Sequence, residues 1–327
     1  MLMDSFEVEN FRSLKHLKLE KLARVNLLVG KNNSGKTSVL EALYALTRME
    51  MPDWFDLIEE NRGIEEEDRD FKSLFHGFDA SKTVQIKAIY QKIGRGPKKF
   101  QASFSLVTDS AARTRKKEKR GLFVSVLIGT KNPLHRLILT RNGEDEMEYR
   151  TDSEAAKKFA DGDLPENIAP RHTGEFLSTV INLDVLSDQL SDLSLNKRDG
   201  AVLAIMQRID ARIVSISLSS KGHIQFDLGE EFGMLSRINS MGEGIQRLLC
   251  IVAAIATNPG GTLLIDEIDN GLHYSALRIL WKGILQAARE YDVQIVATTH
   301  SAEALRHLTW VLDEEENASY QIGRAHV

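Results

Sequence analysis

Cysteine is nearly absent from this sequence. The single copy, Cys250, among 327 residues excludes an internal disulfide and a metal centre built on cysteine, and it is what a reducing, cytoplasmic compartment predicts. No stretch approaches roughly 18 uninterrupted apolar residues, which excludes a membrane-spanning helix. The opening MLMDSFEVENFRS has no basic segment leading into an apolar one, so no signal peptide is expected. There is no repeat of fixed period and no long heptad array. An excess of positive charge is also missing: 42 Lys and Arg stand against 47 Asp and Glu, a net charge of −5. That balance weighs against a protein that coats nucleic acid but leaves room for a local basic groove. What is present, 42% hydrophobic and 27% charged residues, suits a globular chain with a substantial core. At roughly 150 residues per domain the length corresponds to two domains, or to one domain carrying a large insertion.

The pattern along the chain favours the insertion. Residues 1–50 read as strand, turn, strand, loop, helix, with the apolar run ARVNLLVG ending at Gly30 and a helix over Thr37–Arg48. Residues 51–80 turn acidic and aperiodic, as a solvated loop or helix face does. Residues 82–140 alternate apolar and polar positions over three or four antiparallel strands, the first carrying Val84, Ile86, Ala88 and Tyr90. Helical spacing follows in EAAKKFA, GEFLSTVINLDVLSDQL and DGAVLAIMQRIDARI, and then two short strands, RIVSISLSS and HIQFDLG. From about Asn239 the texture is α/β again. The expected organisation is a discontinuous core of residues 1–50 plus 236–320 and an insertion of residues 51–235. The insertion holds a β lobe at about 82–145 and a helical lobe at about 151–210. The expected fold is α/β, with a mainly parallel core sheet.

Three segments carry chemistry. GKNNSGKT, Gly30 to Thr37, fits the phosphate-loop pattern G-x-x-x-x-G-K-[ST] and stands between a buried strand and a helix. Glycines let successive N–H groups turn toward an anion, and the helix N-terminus adds partial positive charge. The Lys36 ammonium would meet the β- and γ-phosphates of ATP, and the Thr37 hydroxyl would ligate Mg²⁺. The predicted nucleotide-binding set is Gly30, Lys31, Asn32, Asn33, Ser34, Gly35, Lys36, Thr37 and Ser38. Next, TLLIDE, Thr262–Glu267, is an apolar strand ending in two carboxylates. Asp266 is placed to hold Mg²⁺, and Glu267 to orient or deprotonate the attacking water. Last, Gly242, Glu243 and Gly244 open a helix and offer a second anion site, expected to serve a nucleotide on another copy of the chain. His300 in Thr298-Thr299-His300-Ser301 follows a strand, where open α/β sheets bind ligands. Lys36, Glu267 and His300 are the candidate catalytic residues.

The order of phosphate loop, insertion, S-x-G-x-G helix, DE strand, D-x-G-L-H turn and TTHS resembles the ABC-class ATPases. The likeness is to the group containing RecF, SMC and OLD (overcoming lysogenization defect) proteins, and within it to compact prokaryotic AAA-type ATP-binding proteins. It rests on VENFRSLKHLKLE…NLLVGKNNSGKTSVLEAL and SMGEGIQRLL…LLIDEIDNGLH…TTHS. The resemblance implies that Lys36 and Thr37 are Walker A ligands and that Asp266 and Glu267 are the Walker B pair. It further implies that Gly242–Gly244 cap a partner's γ-phosphate, that Asp269–His273 form the D-loop, that His300 is the switch histidine and that Arg12 lies near the nucleotide. A homodimer closed around ATP is the implied assembly. Two features depart from the pattern. Ser240 precedes Met241 instead of standing within the signature, and the Mg²⁺-linking glutamine has only Gln85, Gln91 and Gln101 as candidates. Without a zinc-hook C-x-x-C or long coiled coil, a full SMC-type tether is not expected.

The chain ends QIGRAHV. One back-translation, CAG ATC GGA AGA GCA CAC GTC, matches a widely used sequencing adapter from its second base. Residues 321–327 are therefore expected to be a non-native tail, with the natural chain continuing past about Tyr320. The leading functional reading is a cytoplasmic Mg²⁺-dependent ATPase, a dimerising switch in DNA repair or anti-phage defence with DNA, a separate effector or a nuclease as partner. The alternatives are a slow-turnover, nucleotide-gated binding module, or the ATPase part of an OLD-type nuclease whose catalytic domain is missing. The basic run Arg113, Arg115, Lys116, Lys117, Lys119 and Arg120 is a candidate DNA contact, with a solvated hairpin tip as the competing reading.

Overall fold

The computed structural model describes residues 2–48, 54–92, 95–108, 120–128, 134–141, 144–148, 174–314 and 324–325. In chain order the elements are β1 (Leu2–Phe11), β2 (Leu14–Glu20), β3 (Val25–Val29), α1 (Lys36–Arg48), α2 (Trp54–Glu60), β4 (Val84–Lys92), β5 (Arg95–Thr108), β6 (Arg120–Ile128), β7 (Leu134–Arg141) and β8 (Glu144–Glu148). There follow β9 (Gly174–Leu177), α3 (Leu183–Leu195), α4 (Asp199–Ile209), β10 (Ser215–Leu218), β11 (Ile224–Asp227), β12 (Ser236–Arg237), α5 (Glu243–Thr257), β13 (Thr262–Ile265), α6 (Tyr274–Glu290), β14 (Gln294–Thr299), α7 (Ala302–Glu314) and β15 (Arg324–Ala325). The fold is α/β. Contacts divide it into two compact units, Met1–Leu22 with Asn33–Gly174, and Ala23–Asn32 with Glu175–His326.

The first unit is built on a seven-stranded sheet, in the order β2-β1-β4-β5-β6-β7-β8, antiparallel at all six pairings. In β4 the buried residues are Val84, Ile86, Ala88 and Tyr90, the period of two that a sheet with one packed face requires. In β1 the buried Met3 and Phe6 are three apart, and a register shift between Met3 and Ser5 against β4 accounts for it, since a bulge inserts one unpaired residue. Val39, Leu40 and Leu43 of α1 and Trp54 and Ile58 of α2 are buried in the same unit.

The second unit holds a five-stranded sheet in the order β15-β3-β14-β13-β9. β14 lies parallel to both β13 and β3, and β15 parallel to β3. All four residues of β13 and all six of β14 are buried, as strands covered on both faces must be. One continuous apolar cluster joins these strands to α3–α7. A smaller antiparallel sheet, β10-β11-β12, completes the unit. No helix among the described residues is long and apolar enough to cross a membrane.

Several expectations need correction. GEFL is strand β9 and not the start of a helix; the helix begins at Leu183, where the Asn182 side chain accepts the N–H groups of Asp184 and Val185. Residues 82–140 hold four described strands, β4 to β7, within the expected three or four, but β5 already begins at Arg95 inside the segment expected to be a turn, and β8 follows at Glu144–Glu148. β13 ends at Ile265, so Asp266 and Glu267 follow the strand instead of closing it. The acidic stretch after residue 51 is not wholly solvated, since Glu59 is buried. Most of the basic run and the segment 151–173 of the expected helical lobe lie outside the described residues, as do 321–323, 326 and 327 of the tail.

Trp281 is fully buried in the second unit, and its indole N–H donates to the Ala304 carbonyl of α7 at 2.9 Å. Trp281→Ala therefore removes a large core volume and a satisfied donor together. It is expected to cost about 3–5 kcal/mol, read as an earlier midpoint in urea unfolding.

Candidate functional site

The phosphate loop leaves β3 after Val29 and ends at Lys36, the first residue of α1. Two residues take left-handed backbone, Asn33 at φ 62° and Gly35 at φ 90°. Asparagine and glycine are the residue types that accept it most readily. The Gly35 carbonyl accepts the Val39 N–H at 3.0 Å, so the helix starts at once and leaves the first-turn N–H groups at the loop. Lys36 and Ser38 are buried, and the Ser13 hydroxyl donates to Ser38 Oγ at 2.9 Å. Ser34 Oγ is buried with no hydrogen-bond partner among the described residues. A phosphate oxygen would satisfy that hydroxyl, so the loop fits a nucleotide on a local observation as well as on its pattern.

The acidic strand end is organised by residues 298–301. The Thr298 hydroxyl donates to Asp266 Oδ1 at 2.6 Å and accepts the Glu267 N–H at 2.8 Å. The Thr299 hydroxyl donates to Asp269 Oδ1 at 2.6 Å and accepts the Ser301 N–H at 2.9 Å. His300 Nδ1 stands 3.6 Å from Glu267 Oε1, both side chains being partly exposed. Ser301 Oγ accepts the Ala304 N–H at 3.2 Å and so caps α7. Glu267 sits at φ 46°, a left-handed conformation that costs a residue with a side chain about 1–2 kcal/mol and that clusters at functional positions. Asp266 is a hard oxygen donor, the type Mg²⁺ takes.

The model of the family described as "AAA domain, putative AbiEii toxin, Type IV TA system" matches residues 25–306. The chain belongs to this AAA-domain family. It is 23% identical over 346 residues to an ATP/GTP phosphatase of Helicobacter pylori, with 97% of this chain and 90% of the relative covered. A DNA replication and repair protein RecF of Clostridioides difficile is 49% identical over 47 residues, 14% of this chain and 13% of that protein. The solved SMC head bound to the C-terminal winged-helix domain of ScpA aligns at 14% identity and a TM-score of 0.47, covering 94% of this chain and 92% of that one.

The remaining predicted residues of this AAA-domain chain fall in distinct places. Gly242 is the N-cap of α5 and offers no side-chain cap. Gly244 packs so closely on the Asp269–His273 turn that an added Cβ would lie 3.1 Å from Leu272 Cδ2. His273 caps α6 through Ser275. Gln85 and Gln91 lie on β4, and Gln101 on β5.

Arg12 is 7% exposed, and its guanidinium is engaged by two acids. Its Nη2 donates to Glu59 Oε1 at 2.6 Å, and its Nε lies 2.8 Å from Glu41 Oε2 in an ion pair without the angle of a hydrogen bond. Arg62 bonds the Glu41 carboxylate at 2.5 and 2.9 Å, and the Ser73 hydroxyl donates to Glu59 at 2.9 Å. Burial raises the Glu41 pKa against the pull of Arg62 and Arg12. Because Glu41 lies on α1, the helix that begins with Lys36, Arg12 is tied to the phosphate-loop helix through it.

Sequence reasoning missed Arg247, which is 3% exposed on α5. It donates to the Asp266 carbonyl at 2.6 Å and also to the Ser178 carbonyl. Burial pulls its pKa down, and the carboxylates of Asp266, Glu267 and Asp269 are among the groups opposing that pull. In the sequence Arg247 reads only as one polar residue in an apolar helix, so no local signal marks it.

Arg12→Met would strip a cation from two buried carboxylates. Breaking a buried pair on one side typically costs about 3–5 kcal/mol, so Arg12→Met should unfold markedly earlier in urea than the wild type.

Proposed function

We propose that the chain is a Mg²⁺-dependent ATPase that works as a dimerising switch. The observation that carries this reading is local. An eight-residue phosphate loop with left-handed Asn33 and Gly35 runs into α1, and the same chain holds an acidic pair directly after β13 with His300 facing Glu267 at 3.6 Å. The family match and the Helicobacter relative, named for ATP and GTP, support the same chemistry.

Lys36 supplies the full positive charge for the β- and γ-phosphates, and the loop and first-turn N–H groups surround them. Mg²⁺, held by the Thr37 hydroxyl and the Asp266 carboxylate, would neutralise charge on the phosphate oxygens. Glu267 orients the attacking water and accepts its proton, and His300 beside it contacts the γ-phosphate region. The discontinuous core of residues 1–50 and 236–320 belongs to this reading. So do the homodimer, in which Gly242–Gly244 of one copy face the phosphate loop of the other, and a cytoplasmic location. RecF is named for replication and repair and the family for a toxin–antitoxin system. DNA repair or anti-phage defence is therefore the proposed setting, with DNA or a separate effector as partner. The slow-turnover, nucleotide-gated module is the second reading; its support is that Gly242 presents no hydroxyl at the α5 N-terminus.

Lys36→Ala should lose most ATP affinity in calorimetric titration; wild-type affinity would overturn the loop assignment. Glu267→Gln keeps shape and hydrogen-bonding reach but removes the basic carboxylate. Nucleotide binding should persist while phosphate release falls by about a hundredfold or more. Because closure needs ATP and reopening needs its cleavage, this variant should accumulate as a dimer with ATP on size-exclusion chromatography.

A further inference from the structure

We propose that Thr298 is the residue that positions both acidic groups after β13; this rests on the ATPase reading of Asp266 and Glu267. β13 ends at Ile265; the Asp266 N–H still bonds the Leu177 carbonyl of β9 at 2.9 Å, but the Asp266 side chain and Glu267 lie outside the ladder. Thr298 bonds both. The register sets Ile265 beside Ala297 on β14, which brings Thr298, one residue on, alongside Asp266. Its hydroxyl spends its one proton on Asp266 Oδ1 at 2.6 Å and receives the Glu267 N–H at 2.8 Å. Its carbonyl accepts the Ile268 N–H at 3.0 Å. Three consecutive residues are thus held by one threonine, and the middle one is Glu267 at φ 46°.

The residue type matters. Thr298 is fully buried, so its own side chain is shielded from water. A β-branched side chain is stiff at χ1 and aims the hydroxyl in one direction. Donation to Oδ1 fixes the rotation of the Asp266 carboxylate, and acceptance from the Glu267 N–H fixes the backbone from which that side chain projects. Valine has the same shape without the hydroxyl and would leave the partly buried Asp266 carboxylate oxygen and Glu267 N–H without this partner. Serine keeps the hydroxyl and gives up only the methyl. Thr299 makes a different set of bonds, to Asp269 and Ser301, and does not substitute for it.

The test compares wild type, Thr298→Val and Thr298→Ser in the full chain. Mn²⁺ binding is titrated by electron paramagnetic resonance with a non-hydrolysable ATP analogue, and phosphate release is measured against Mg²⁺ concentration. Thr298→Val is expected to weaken Mn²⁺ binding by about tenfold to a hundredfold, the usual effect of losing a group that orients a metal ligand. Turnover should fall as well, while affinity for the analogue without metal stays unchanged. Thr298→Ser should recover most of both. Wild-type Mn²⁺ affinity and turnover in Thr298→Val overturn the proposal and leave the ATPase reading standing, as does a Thr298→Ser variant no better than Thr298→Val. A wild type that neither binds Mn²⁺ with the analogue nor releases phosphate overturns the ATPase reading and this proposal with it. Should Thr298→Val fail to fold by circular dichroism, Thr298→Ala makes the same comparison.

Discussion

Parallel pairing of β3, β14 and β13 is the constraint from which the rest of the second unit's chemistry follows. Parallel strands share a direction, so their carboxyl ends lie at one edge of the sheet. The register pairs Val29 with Thr299 and Ile265 with Ala297. The start of the phosphate loop, the acidic pair and the residues from Thr298 to His300 therefore leave the sheet side by side. Segments separated by more than 200 residues in sequence meet because three short apolar strands stack in register and are buried on both faces. No side chain at this edge has to pull the strands together, and each is free to bond its neighbours.

The parts of this arrangement that were legible in the sequence are those encoded locally. The phosphate loop is eight contiguous residues whose glycine spacing, lysine and threonine each have a separate physical reason. TLLI is an apolar run of strand length, and Gly242–Gly244 mark the place where α5 begins. What could not be read depends on distant partners. GEFL is as compatible with a helix as with a strand until β13 stands next to it. Glu59 looks like one more solvated acid until Arg12 and Ser73 are brought to it by the folding of the first unit. The two compact units also follow no composition boundary, because β1 and β2 pair into the sheet of β4–β8 while β3, a few residues later, enters the other sheet.

Buried charge is used in two ways. In the first unit the buried Arg12 pairs with the buried Glu41 and Glu59, and the exposed Arg62 bonds Glu41 from the surface side. Such a network rarely adds net stability over an apolar replacement, but it holds only when all its members are in place. It includes Glu41 of α1, so the helix that starts at Lys36 is fixed by directional contacts as well as by packing. In the second unit Arg247 is spent on two backbone carbonyls, and the acids near it stabilise its charge through the field and not through direct bonds. One arginine thereby ties α5 to the backbone of Asp266, while Thr298 bonds its carboxylate.

The division of labour around Asp266 and Glu267 has a physical logic. Under the proposed function the Asp266 carboxylate is a cation ligand, and a neutral bond orients such a ligand without competing with the cation for it. A hydroxyl orients the same carboxylate without adding charge, and the Arg247 guanidinium bonds the Asp266 carbonyl instead of its side chain. Glu267 presents the complementary problem: in the proposed mechanism its carboxylate meets the attacking water and stays accessible, so its position is set through the backbone. The left-handed turn at φ 46° with its N–H bonded to Thr298 does that, leaving the Glu267 side chain partly exposed and 3.6 Å from His300. The strain at Glu267 and the hydroxyl bonds of Thr298 thus act on neighbouring acids in different ways: the backbone sets where Glu267 projects, and the hydroxyl turns the Asp266 carboxylate without adding charge.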